Sequence, residues 1–149
     1  MITIGVDPGK RVGVAVIETH GPVAHELWTV ADRQAGPFVL GLALYYACPI
    51  VIEEPQAAHV YQRPGQSPAA MRKIARNVGE CRQRALALAE QLEKALMRWN
   101  IIGVPVKLRP PVRGGTKWTR ERFEAVFGWT GPSSDHARDA AVIAMQGGE

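Results

Sequence analysis

The sequence has 149 residues, 46% hydrophobic and 21% charged, with 15 Gly and 11 Pro, which supports a buried core and excludes a disordered tail or a collagen-like repeat. The net charge is +4, but it is unevenly spread: residues 1–61 hold three basic and six acidic groups, residues 62–122 fourteen and four, and residues 123–149 one and four. A basic middle between acidic flanks predicts a polyanion held on one part of the surface, with carboxylates gathered elsewhere for a task that needs negative charge.

Ile2, Ile4 and Val6 alternate with Thr3 and Gly5, a strand pattern that ends at Asp7, where Pro8 and Gly9 enforce a turn. Val12–Ile17 reads as a second strand and Val23–Val30 as a third; with such short connections the three form an antiparallel meander. Val39, Leu40, Ala43, Leu44 and Ala47 have helical spacing, predicting a mostly buried helix over 33–47 that Pro49 ends. Ile50-Val51-Ile52 is a short apolar run typical of a strand buried on both faces, closed by Glu53-Glu54-Pro55. From Ser67 to Trp99, apolar residues repeat every three or four positions and predict a helix of about 29 residues, roughly 43 Å long. Its length leaves apolar surface that a small sheet does not cover, which favours a homodimer contact through it. Val104–Leu108 is a further strand, 110–116 a Pro/Gly/Arg loop, Arg120–Phe127 a short helix, and Ser134–Met145 the last helix. The order is βββαβαβαα, an α/β fold with a mixed five-stranded sheet in one domain spanning 1–149.

Cys48 and Cys81 lack CxxC spacing and read as buried thiols of a reducing compartment. No apolar run approaches the ~20 residues of a membrane helix and no basic leader opens the chain, so a cytoplasmic location without membrane contact is expected.

Asp7 and Glu53 each end a predicted strand, where α/β sheets build sites. If those strands are neighbours, the two carboxylates emerge at one edge, and their repulsion calls for a cation or a proton between them. Asp135, His136 and Asp139 open the last helix, and the spacings 136/139 and 135/139 each put a pair on one face. Such an oxygen-rich set favours Mg²⁺ or Mn²⁺, with the imidazole tilting toward Mn²⁺. Plainer readings stand beside this: a turn at Asp7-Pro8-Gly9, a solvated strand end at Glu53 or Glu54, a packing or surface histidine at 136. For Asp135, next to Ser134, a capping or helix-dipole role is preferred.

The run Ile4-Gly5-Val6-Asp7-Pro8-Gly9-Lys10-Arg11-Val12-Gly13-Val14-Ala15 resembles the opening of RuvC-type Holliday junction resolvases. Val51-Ile52-Glu53-Glu54 looks like the second acidic block of that family, and His136-Ala137-Arg138-Asp139-Ala140-Ala141 like its C-terminal block. The resemblance implies a ribonuclease H-like fold with helices on both faces of the sheet, and Asp7, Glu53, His136 and Asp139 as catalytic and metal-binding residues. It also implies two Mg²⁺ or Mn²⁺ ions per site and hydrolysis of four-way junction DNA by paired nicks. Glu54 and Asp135 stay open as substitute ligands. Gly79-Glu80-Cys81-Arg82 is similar to a helix segment used for dimerisation in the family.

Contacts to DNA are expected from Lys107, Arg109, Arg113, Lys117 and Arg120 around the 110–116 loop, where backbone amides and cations can approach phosphate, while Arg72 and Arg76 on the long helix are candidates beside the preferred reading of a solvated face. Lys117 resembles a family lysine that contacts the scissile strand. In the resembled family a loop at this place bears an aromatic wedge, which implies Tyr61, beside Arg63 in the loop after Glu53, as the candidate to replace lost base stacking. A tyrosine packing over its own domain is the plainer reading. Two rival readings are a YqgF-like nuclease of ribosomal RNA processing, whose fingerprint the Asp7–Ala15 run also resembles, and a DNA-binding module without catalysis.

Overall fold

Val, Ile and Thr dominate three N-terminal segments, and in the computed structural model, which describes residues 1–56, 65–111 and 117–147, they pair as a meander. These are β1 (Ile2–Asp7), β2 (Arg11–Glu18) and β3 (Val23–Ala31). β1 and β2 are antiparallel with Asp7 opposite Gly13, and β3 follows antiparallel to β2 with an irregularity at Val16/Ile17. Helix α1 (Asp32–Tyr46) stops where Ala47 turns left-handed at φ 47°. β4 (Ile50–Glu53) then enters parallel to β1. Helix α2 (Pro68–Arg98) returns the chain to β5 (Val106–Arg109), parallel to β4, and α3 (Arg120–Phe127) and α4 (Asp135–Gly147) complete it. The sheet order is β3-β2-β1-β4-β5.

The alternation along the strands divides the core in two. Ile4, Val6, Val12, Val14, Val16, Ile50 and Ile52 pack under Val39 and Ala43 of α1 and Leu88, Leu92 and Leu96 of α2. On the opposite face Ala15 and Ile17 meet Phe123 and Phe127 of α3 and Ala140, Ala141 and Ala144 of α4. The expected mixed sheet with helices on both faces is therefore present.

Helix α2 runs 31 residues, about 46 Å. Its start is set by Ser67, whose Oγ accepts from the Ala70 N–H at 3.2 Å, with Pro68 in the first turn, where its missing N–H costs nothing. The fully buried residues of α2, Ala85, Leu88, Ala89, Leu92 and Leu96, all lie in its second half. Residues 68–84 include no buried residue, though Met71, Ile74, Val78 and Cys81 are partly covered. β5 begins two residues later than its composition predicts: Pro105 has no N–H to give, and the ladder opens when its carbonyl accepts from Ile50 N–H at 2.9 Å. Among the described residues no helix is long and apolar enough to cross a membrane.

Candidate active site

Parallel pairing of β1 with β4 sets Val6 beside Ile52, so Asp7 and Glu53 follow at the same sheet edge. Side chains alternate along a strand. Val6 and Ile52 face α1 and α2, so Asp7 and Glu53 turn toward the α4 side, and Glu54 turns back toward α2. There the Arg82 Nε donates to Glu54 Oε1 at 2.9 Å, which removes Glu54 from the cleft. The pleat thus chooses Glu53 from two adjacent acids.

Helix α4 lies almost against the strand backbones. A Cβ on Gly5 would come to 1.9 Å from the Ala140 carbonyl oxygen, and one on Gly13 to 1.9 Å from that of His136. Its first turn is fixed by Ser134, whose Oγ accepts from the Ala137 N–H at 3.1 Å and also meets Thr29 Oγ1 of β3. This seating brings His136 Nδ1 to 2.9 Å from Asp7 Oδ2. One turn on, Asp139 is buried and acts electrostatically on both Asp7 and Glu53. Asp135 points away, exposed and paired with Arg138, and Ser134 rather than Asp135 supplies the capping side chain.

Asp7, Glu53, His136 and Asp139 line one cleft of about 620 Å³. Burial raises the Asp7 carboxyl above its ordinary value; the hydrogen bond from His136 opposes this and the Asp139 charge adds to it. Glu53 is pushed up to about 7, by burial first and then by Asp7 and Asp139, with Lys117 opposing. Three carboxylates drawn largely out of water, two at strand ends and one on α4, raise one another's affinity for a proton or a cation. Their hard oxygens, with one imidazole, fit Mg²⁺ or Mn²⁺. Among the described residues no three such side chains are placed together closely enough to hold one ion.

No protein-family model and no curated protein matches the sequence. Nine chains of solved structures match, among them the following two. RuvC of T. thermophilus, in complex with a Holliday junction substrate, aligns with a TM-score of 0.61 and 18% identity over 97% of this chain and 90% of that one. Fowlpox virus resolvase, in complex with its substrate Holliday junction DNA, aligns with a TM-score of 0.54 and 9% identity over 97% of this chain and 96% of that one. The fold is ribonuclease H-like. At these identities the likeness concerns the path of the chain, and the ribonuclease H-like sheet is what sets Asp7 and Glu53 side by side.

The basic residues singled out from the sequence are distributed unevenly around this site. Lys117 lines the cleft and lowers the carboxyls of both Asp7 and Glu53. Arg109 stands opposite Glu53 in the β4–β5 register, and Lys107 is half-buried opposite Val51. Arg120 pairs with Glu124 at 2.6 Å along α3. Arg72 and Arg76 are exposed on α2 and outside the cleft lining, which takes Lys73, Asn77, Glu80, Cys81 and Arg84 from that helix instead. Tyr61, Arg63 and Arg113 lie outside the described residues.

Cys81 corrects an expectation. Cys48 is buried, but Cys81 is only partly so and faces the acidic cleft, where burial raises its thiol and the Asp7 charge adds to the effect. The segment Gly79-Glu80-Cys81-Arg82 runs along the cleft, with Arg82 engaged by Glu54. Sequence reasoning passed over two signals. Gly5 and Gly13, inside strands, mark the close approach of another backbone, and Lys73, Asn77, Glu80 and Arg84 share one helix face by their spacing.

Proposed function

We propose that this chain is a single-domain, structure-selective endodeoxyribonuclease that resolves four-way DNA junctions by paired nicks. The observation that carries the reading is the crowding of Asp7, Glu53 and Asp139, with His136 bound to Asp7 at 2.9 Å, at the edge of a ribonuclease H-like sheet. RuvC of T. thermophilus and Fowlpox virus resolvase were both determined with Holliday junction DNA, which supports this substrate class.

Asp7, Glu53, Asp139 and His136 would hold divalent cations, Mg²⁺ or Mn²⁺, two per site. Such ions supply Lewis-acid polarisation of the phosphodiester and lower the pKa of an attacking water. Asp7 is the central ligand in this reading, facing both other carboxylates. His136, whose Nδ1 lies 2.9 Å from Asp7 Oδ2, would serve either as one of these ligands or as a place to hold a proton taken from water. Lys117, close enough to lower both carboxyls, holds the phosphate of the strand to be cut. Lys107, Arg109 and Arg120 extend the cationic surface for the flanking backbone, whose attraction is salt-dependent.

A junction has two-fold symmetry, so two copies of the chain would present two sites to opposing strands. Support for a dimer through α2 comes from residues 68–84, where Met71, Ile74 and Val78 are only half-covered by their own chain. Cleavage of a synthetic immobile junction in Mg²⁺ or Mn²⁺, with Asp7→Asn as control, tests the activity. Nicks at symmetric positions by the wild type and none by the variant, which still binds the junction, are expected. Equal cutting by both overturns the assignment. Sedimentation equilibrium tests the dimer.

A further inference from the structure

The cleft has an acidic floor and a differently built wall. The wall is the first half of α2, where Lys73, Asn77, Glu80 and Arg84 recur at intervals of four, three and four and all line the cleft. Two of the four are already engaged: the Arg84 Nε donates to Asp32 at 3.2 Å, and its Nη1 lies 3.8 Å from Glu80. Lys73 and Asn77 are exposed and have no hydrogen-bond or ion-pair partner among the described residues. A continuous helix capped by Ser67 holds them one turn apart, so their polar ends are presented to whatever occupies the cleft without a loop to order.

The two residues suit different parts of a nucleic-acid strand. Lysine offers three donors and a full charge and matches a phosphate oxygen of any sequence. Asparagine carries no charge, and its amide has both donors and an acceptor, the pattern that pairs with a base edge such as adenine N6/N7. Asn77 is the one carboxamide among the described residues that line the cleft. The lining already supplies positive charge from Lys10, Arg11, Lys73 and Lys117, so an amide here adds discrimination rather than attraction.

We propose that this face of α2 reads sequence: Lys73 holds a backbone phosphate, and Asn77 reads a base edge of the strand lying beside Asp7 and Glu53. The inference rests on the nuclease reading above and assigns its specificity to a named side chain.

The test uses a panel of synthetic junctions with permuted base pairs at the point of strand exchange, cut in Mn²⁺ by wild type, Asn77→Ala, Asn77→Gln and Lys73→Ala. Wild type should favour some sequences over others. In Asn77→Ala the ratio between best and worst sites should fall about tenfold or more. Asn77→Gln, which keeps the amide on a longer stem, should change which site is preferred. Lys73→Ala should weaken binding to every junction by a similar factor and reduce the salt slope by about one, leaving the preference intact. Thermal melts of all variants identify any that fail to fold, and Asn77→Gln keeps the test open if Asn77→Ala does. An unchanged site distribution in the folded Asn77 variants, or equal cutting of all sequences by wild type, overturns this inference alone. Failure of the wild type to nick any junction overturns the nuclease reading and this inference with it.

Discussion

No side-chain carbon fits between Gly13 and the backbone of His136: a Cβ there would lie 1.9 Å from the His136 carbonyl oxygen and 3.0 Å from the Ala137 nitrogen. The position of the site's histidine therefore depends on a missing methyl group on β2. Gly13→Ala must push the first turn of α4 away from the sheet, costing about 1–3 kcal/mol and loosening the contact between His136 and Asp7. We expect a melting temperature several degrees lower and nuclease activity down at least tenfold. Gly41→Ala, at a position in α1 where an added Cβ meets nothing within 4 Å, is the control and should leave both within error or slightly improve stability.

The raised carboxyls set the pH dependence of folding in the absence of divalent ions. Glu53 sits near 7 in the fold against an ordinary value of 4.5. Below pH 4.5 it is protonated folded or unfolded and costs nothing; between the two values only the unfolded chain ionises; above 7 the penalty is complete. The group's contribution is thus lost as pH rises, and Asp7 acts in the same direction. In EDTA, Glu53→Gln should raise stability at pH 8 by about 2 kcal/mol, a figure reduced for the carboxyl's partial exposure. It should change little at pH 4. Urea melts at the two pH values measure both.

Glu53 and Glu54 are chemically alike and should differ sharply in consequence. Glu53→Gln is expected to abolish cleavage. Glu54→Gln removes only a partly exposed pair with Arg82, worth about 0–1 kcal/mol, and should retain activity within a few-fold. Loss of activity in the Glu54 variant and retention in the Glu53 variant would reverse the pleat argument.

Divalent ions should stabilise the fold through the same acids. Titration with Mn²⁺ should raise the melting temperature progressively, as for any ligand that binds only the folded state, and EDTA should reverse the rise. Asp7→Asn or Asp139→Asn should abolish the response. A response undiminished in both variants would place the ions elsewhere on the protein.

The element order was legible because each strand and helix carries its own periodicity, but whether β1 and β4 are neighbours was left open until their register was seen. The choice of Glu53 over Glu54 was not, since it rests on which face of the sheet Ile52 occupies, a tertiary fact. Asp135 illustrates the same limit: sequence places an acid at the start of α4, but only the fold turns it outward to Arg138 while Ser134 takes the cap. Cys81 read as a buried thiol because it lacks the spacing of a metal or redox site, yet it is only partly covered and lines the cleft. The close seating of α4 was written in Gly5 and Gly13, but a glycine in a strand does not say which backbone approaches it.

The apolar anchors of helix α2, Ala85, Leu88, Ala89, Leu92 and Leu96, all lie in its second half. Its amides should therefore exchange with deuterium in a gradient along an unbroken helix, slowest over 85–96 and fastest toward Pro68. Nucleic acid seated beneath the first half would supply a further anchor, and the gradient should flatten as the duplex arms engage it. The helix would then report occupancy of the cleft from its own protection pattern, without a label or a cut strand.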